Sequence, residues 1–226
     1  MQSAIGLALD SKTFKTIKPL INIPTIVRIR NHQMVFYTRP EIITLELTAC
    51  EEKDLSIISI AKEKLLKSGL LERLKDMNVY SRSGFSKNDR LDLSLKELLK
   101  NPVWDVNALQ NLIGAGPGLT PSGDDFLQGM IFIEKVLGVE NKLHSLVEEG
   151  LKVRLTTDVS LSYYQAIFEG YANEPLINLL QSIQMGSEIG IQKALNHLQN
   201  YGETSGYDLL LGILVYLQKL KDGMML

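Results

Sequence analysis

The patterning of apolar and polar positions changes character about a quarter of the way along the chain. Up to about residue 50, short β-branched or aromatic runs lie at Ser3 to Leu9, Thr25 to Arg30, Met34 to Thr38 and Ile42 to Thr48. Turn-formers around Asp10, Pro19, Pro24, Asn31 and Pro40 separate them. This pattern predicts a small, mostly antiparallel β unit over 1–50. From Glu52 to Leu74, the residues Ile58, Ala61, Leu65, Leu66 and Leu70 recur at helical spacing among Lys and Glu, with Gly69 interrupting. Tyr80 to Arg90 is polar, glycine-containing and aperiodic, so 51–91 reads as a helix followed by a linker or mobile loop.

From Asp92 onward, helical periodicity dominates, with segments near 93–100, 105–113, 123–137, 140–152, 159–169, 175–185, 188–200 and 206–220. Gly114, Gly138, Gly170 and Gly186 stand where helix C-terminal caps belong. The predicted fold class is therefore α+β, a small N-terminal antiparallel β unit followed by a larger all-helical domain over 92–226.

Within that domain one phrase occurs twice. Ser122-Gly-Asp-Asp125 with Gly129, and Ser205-Gly-Tyr-Asp208 with Gly212, both read Ser-Gly-x-Asp-x-x-x-Gly, and the serines are 83 residues apart. Each copy opens an apolar helical stretch. Ser as N-cap with Asp three residues on would account for Ser122, Asp125, Ser205 and Asp208 as capping boxes. Capping does not account for Asp124, which makes it the first candidate for chemistry. Gly129 and Gly212 fall on the same helix face as the aspartates, where absent side chains would let two helices cross closely. Such a crossing would bring both helix entrances to one cleft. Helix N-termini expose unpaired N–H donors, so Gly123 and Gly206 could meet an anion through their backbone while Asp124, Asp125 and Asp208 hold a ligand N–H or Mg²⁺. Gly116 and Gly118 would let a ligand approach the backbone, and Thr120, Ser122, Thr204 and Ser205 would supply hydroxyls. A third polar segment, Arg154 to Ser160, reads as another helix start capped by Asp158 or Ser160, with Thr156, Thr157 and Ser160 facing the same cleft. Arg82 and Arg90 could close over an anion.

Composition narrows the alternatives. The 226 residues are 45% hydrophobic and 22% charged, which is ordinary globular usage. A formal net charge of −2 without a basic run predicts no nucleic-acid partner. Cys50 is alone, so neither a disulfide nor a cysteine metal cage can form within one chain. His32, His144 and His197 lack ligand spacing. Gly114-Ala-Gly-Pro-Gly118 is neither a dinucleotide fingerprint nor a Walker loop. Leu209 to Leu217 is too short to span a bilayer, and Met1 to Asp10 lacks a basic export signal, so the expectation is a cytoplasmic protein with no membrane partner.

Taken together, the motifs at 116–129 (Gly-Pro-Gly-Leu-Thr-Pro-Ser-Gly-Asp-Asp-Phe-Leu-x-Gly), 156–160 (Thr-Thr-x-Val-Ser) and 202–212 (Gly-x-Thr-Ser-Gly-x-Asp-x-Leu-x-Gly) resemble the AllH-like family. Its members are subunits associated with the oxamate carbamoyltransferase of anaerobic allantoin degradation. The resemblance implies FdrA-like and related partner subunits and a small anionic carbamoyl or phosphate ligand. It implies transfer of a carbamoyl group between oxamate, as oxalurate, and phosphate. No cofactor is implied beyond the Mg²⁺ that the aspartates could hold. A non-catalytic helical scaffold or small-molecule-binding subunit, with catalysis in its partners, is the alternative expectation.

Overall fold

The computed structural model describes residues 11–19, 26–38, 41–48, 50–101, 103–139 and 142–223. It divides into two compact units, Gly6–Asp54 and a second one holding Leu55–Leu226.

In the first unit, α1 (Ser11–Ile17) precedes three antiparallel strands in the order β1 (Ile26–Arg30), β2 (Gln33–Tyr37) and β3 (Ile42–Glu46). Arg30 pairs with Gln33 across a two-residue turn in which Asn31 and His32 have φ of 47° and 60°. Two consecutive positive φ values match the right-handed twist of the hairpin. The sheet is the one expected from the alternating runs. The helix α1 was not expected, and the predicted run Ser3 to Leu9 lies outside the described residues.

The second unit is helical. It contains α2 (Lys62–Lys67), α3 (Leu70–Asp76), α4 (Val79–Arg82), a 3₁₀ turn (Gly84–Lys87), α5 (Asp89–Lys100), α6 (Val106–Leu112), α7 (Ser122–Leu137), α8 (Lys142–Leu151), α9 (Asp158–Phe168), α10 (Glu174–Met185), α11 (Glu188–Gln199) and α12 (Ser205–Lys221). The helices from α5 onward follow the predicted segments closely. Gly114, Gly138, Gly170 and Gly186 all have the positive φ of helix C-terminal caps.

Two stretches differ from expectation. The helical stretch read over 52–74 begins instead as an extended segment, followed by two short helices that part at the expected Gly69, where φ is 74°. The extended segment is held from outside, since the Ile57 N–H donates to the Gly170 carbonyl at 2.7 Å and the Ala172 N–H to that of Leu55 at 3.1 Å. Tyr80 to Arg90 is not a mobile loop. Within it Phe85 is fully buried against Phe126 with ring centroids 4.9 Å apart. A single anchor of this kind leaves no periodic trace in sequence.

At the centre lie α7 and α12, which are buried on nearly every face, as their all-round hydrophobicity requires. They cross where both lack side chains. A Cβ on Gly129 would lie 2.1 Å from the Leu209 carbonyl oxygen, and one on Gly212 would lie 2.0 Å from that of Phe126. Leu209 and Gly212 are the counterparts of Phe126 and Gly129 in the repeated phrase, so the two approaches are the same contact seen from either helix. Reciprocity of this type is the mark of a two-fold arrangement, here within one chain.

Candidate functional site

The reciprocity extends to the helix entrances. The Ser122 hydroxyl faces the carboxyl of Asp208, and the Ser205 hydroxyl faces that of Asp125; each favours the ionised form of the acid it faces. The serine of each copy thus serves the aspartate of the other. This corrects the capping assignment: Ser122 and Ser205 are the first helical residues, Pro121 and Thr204 hold the cap positions, and neither caps its helix through its side chain.

A hydroxyl layer surrounds the two acids. Thr120 Oγ1 and Ser205 Oγ share a hydrogen bond of 2.9 Å, and both hydroxyls favour ionised Asp125. Thr204 does the same for Asp208, whose Oδ1 also accepts the Gly84 N–H at 2.8 Å. Gly84 is essential to this fit, because a Cβ there would sit 2.1 Å from Ser122 Oγ. Burial nevertheless dominates. Asp208 is 0% exposed and Asp125 5%, and desolvation pushes the Asp125 carboxyl well above the usual carboxylate range, with the charges of Asp208 and Asp124 adding to the rise. Asp208 is raised for the same first reason, although Lys87 offsets part of it. Each acid keeps one buried oxygen, Asp125 Oδ2 and Asp208 Oδ2, with no hydrogen-bond partner among the described residues.

Asp124 stands differently. Its Oδ1 accepts the Gly114 N–H at 3.0 Å and the Tyr164 hydroxyl at 3.0 Å, and its Oδ2 accepts the Thr156 hydroxyl. Desolvation holds its carboxyl above the usual range despite these bonds, and the hydroxyl of buried Ser160 has no hydrogen-bond partner among the described residues. Asp124 therefore ties the end of α6, the 152–157 connection and α9 to α7. This explains its burial without a ligand, although it is the acid that sequence reasoning placed first. Its counterpart in the second copy is Tyr207, whose hydroxyl accepts from Arg82 at 2.7 Å and donates to Gln199 at 3.3 Å. The two copies differ at this position. Arg82 lies 5.6 Å from the Tyr207 ring centroid and so does not stand free over an anion.

The remaining predicted residues are distributed around these two clusters. The Gly123 and Gly206 N–H groups, assigned to an anion from sequence, donate to the Ala115 and Tyr201 carbonyls at 2.8 Å each. A Cβ on either glycine would also strike the preceding helix, 2.0 Å from the Leu112 oxygen and 1.9 Å from the Leu198 oxygen. Gly116 and Gly118 have φ of 120° and 94°, conformations that disfavour a side chain, and they carry the connection from α6 over the Ser122 end of α7. Thr157, rather than Asp158 or Ser160, caps α9: its Oγ1 accepts the Ser160 N–H at 3.0 Å and donates to the Leu119 carbonyl at 2.5 Å. Sequence reasoning missed Gly84, Tyr164 and the Tyr163–Tyr201 hydroxyl pair at 3.1 Å, which lies within the field of Asp125. Only the Ser83-Gly84 dipeptide, an echo of the repeated Ser-Gly, could have drawn attention to the first.

No group of three or more His, Cys, Asp or Glu that could hold a metal ion lies among the described residues, and the oxygens of Asp124 are engaged by Gly114, Tyr164 and Thr156. Nor is any described helix long and apolar enough to cross a membrane. Residues 112–217, from the last residue of α6 into α12, match the family described as oxamate carbamoyltransferase subunit AllH. That segment contains both copies of the repeated phrase and the 156–160 motif. No solved structure matches the chain.

Proposed function

With an AllH-like segment over 112–217 as the premise, we propose that this chain is the ligand-binding subunit of a carbamoyltransferase assembly. Its site would lie between the N-terminal turns of α7 and α12. The observation that carries the reading is the pair of buried carboxyl oxygens, Asp125 Oδ2 and Asp208 Oδ2, without donors. A buried polar atom left unmatched costs roughly 1–3 kcal/mol, so a ligand that supplies a donor recovers that cost. A carbamoyl or ureido group carries such N–H donors next to a carbonyl oxygen. Its N–H groups would meet the two acids, and its carbonyl would accept from Thr120 or Ser205. Thr204, Ser122 and Gly84 would hold Asp208 in place. With the Gly123 and Gly206 N–H groups spent inside the fold, recognition falls to side chains and to the N–H end of the ligand. Oxalurate and carbamoyl phosphate fit this description; free phosphate does not. The barrier would fall by positioning and electrostatics. FdrA-like and related subunits are the expected partners, and the cytoplasm the expected compartment.

Thermal denaturation of the isolated chain with oxalurate, carbamoyl phosphate or phosphate tests this. A ligand at a hundredfold excess over its Kd adds about 2.7 kcal/mol, so the two carbamoyl compounds should raise Tm, phosphate should not, and Asp208→Asn should abolish the response. No response to either carbamoyl compound, or an equal response in the variant, refutes the site. The second reading is a scaffold whose chemistry lies in its partners. It is favoured by Asp124, whose structural bonds leave it nothing to do for a ligand.

A further inference from the structure

Two connections stand beside the α7 entrance and display aliphatic side chains to solvent. Leu119 is 71% exposed in the connection that follows α6, while Val153 and Leu155 are 71% and 94% exposed in the one that follows α8. A single exposed leucine is unremarkable, but neighbouring ones form the kind of patch that marks an interaction surface. The backbone that carries these side chains is held in place. The Thr157 hydroxyl donates to the Leu119 carbonyl, the Leu155 carbonyl lies 2.1 Å from where a Cβ on Gly114 would be, and Gly114 and Thr156 both donate to Asp124. Arg154, between Val153 and Leu155, donates to the neutral Asn111 Oδ1 at 3.1 Å and forms no salt bridge among the described residues. Its charge is free to meet a carboxylate from outside this chain. Leu119 also directly precedes Thr120, whose hydroxyl pairs with Ser205 over Asp125.

We propose that Leu119, Val153 and Leu155, with Arg154 among them, form the docking face for a partner subunit that presents an apolar surface bearing a carboxylate, and that this subunit covers the outer side of the Asp125–Asp208 site. The inference rests on the reading of the chain as an assembly subunit and adds where its partner sits. The choice of an acidic apolar partner follows from charge: a second copy would bring one uncompensated Arg154 against another, whereas a carboxylate would neutralise it. Rigid presentation lowers the entropic cost of docking.

The test is reconstitution with purified partner subunits of a carbamoyltransferase assembly, read by size-exclusion chromatography and titration. Leu155→Glu and Arg154→Glu should each weaken assembly by about tenfold or more. Met185→Glu, at an exposed residue at the end of α10 (80% exposed), should not weaken it. Hydrogen exchange of the wild-type complex should show protection over 117–120 and 152–157. Since Leu155 is almost wholly exposed, its variant should keep the Tm of the isolated chain and its response to oxalurate. Absence of an oxalurate response in the wild-type chain, with assembly still weakened by the variants, would remove the ligand site and leave the docking face standing. Unchanged assembly in both variants, or protection elsewhere only, overturns the proposal. So does a dimer of the isolated chain that Leu155→Glu dissolves, because the occupant would then be a second copy.

Discussion

Replacing Gly129 with alanine probes the α7–α12 crossing directly. The new Cβ would lie 2.1 Å from the Leu209 carbonyl oxygen and close to the Ile213 nitrogen, both backbone atoms that cannot rotate away. Reaching ordinary contact requires the two central helices to part by about 1 Å, which opens packing in a well-filled core. Overpacking costs about 1–3 kcal/mol, and a clash against backbone belongs at the upper end, while the helix propensity of alanine returns about 1 kcal/mol. The expected net loss is about 2 kcal/mol, or roughly 4–8 °C in Tm for a unit of this size. Gly212→Ala should behave alike, since its Cβ would lie 2.0 Å from the Phe126 oxygen. Both clashes are relieved by the same separation, so the double variant should cost less than the sum of the singles by about 1 kcal/mol. Urea denaturation of the four proteins measures this. Gly150→Ala is the control, because it meets mainly the end of the flexible Ile113 side chain. Neutral or stabilising single variants, or strict additivity, would refute the reciprocal crossing.

Other consequences follow from the two acid clusters. Asp125 has a folded-state pKa raised above its unfolded value of about 3.9. Its favourable contribution is therefore complete below that value and is lost as pH rises through the folded value. Asp125→Asn should raise Tm near pH 8 and flatten the fall in stability above pH 4 in thermal scans; an unchanged pH slope contradicts this. Asp124→Ala leaves the buried donors of Gly114, Thr156 and Tyr164 without an acceptor and should cost on the order of 3–5 kcal/mol in urea denaturation, with Tyr164→Phe costing about 1. A loss under 1 kcal/mol for Asp124→Ala would remove its structural role. Gly84→Ala pushes a methyl against Ser122 Oγ and should abolish the oxalurate response in calorimetric titration while the chain stays folded; undiminished binding would separate Asp208 from the ligand.

Much of the helical unit was legible because its signals are local. Glycines at 114, 138, 170 and 186 mark helix ends whose left-handed conformation the structure retains. The repeated Ser-Gly-x-Asp-x-x-x-Gly foretold the close crossing through Gly129 and Gly212, since absent side chains at one helical face have few other uses. What sequence could not show was pairing between the copies. A serine three residues before an aspartate looks like its own capping box, and only the fold brings Ser122 to Asp208 and Ser205 to Asp125. For the same reason Asp124 stood out as unexplained, since Gly114, Thr156 and Tyr164 approach it from separate elements. The segment around Gly84 was hidden by its polar composition, because one buried phenylalanine has no period. In the β unit, the runs of the three strands were readable, whereas the short α1 carried too few apolar residues to register.

The proposed function requires Asp125 and Asp208 to receive one ligand between the two helix entrances. A crystal structure of the chain with oxalurate bound measures this most directly. Ureido nitrogens are expected within hydrogen-bonding distance of Asp125 Oδ2 and Asp208 Oδ2, with Thr120 or Ser205 donating to the adjacent carbonyl. Oxalurate bound elsewhere, with both carboxyl oxygens still lacking a donor from it, would contradict it.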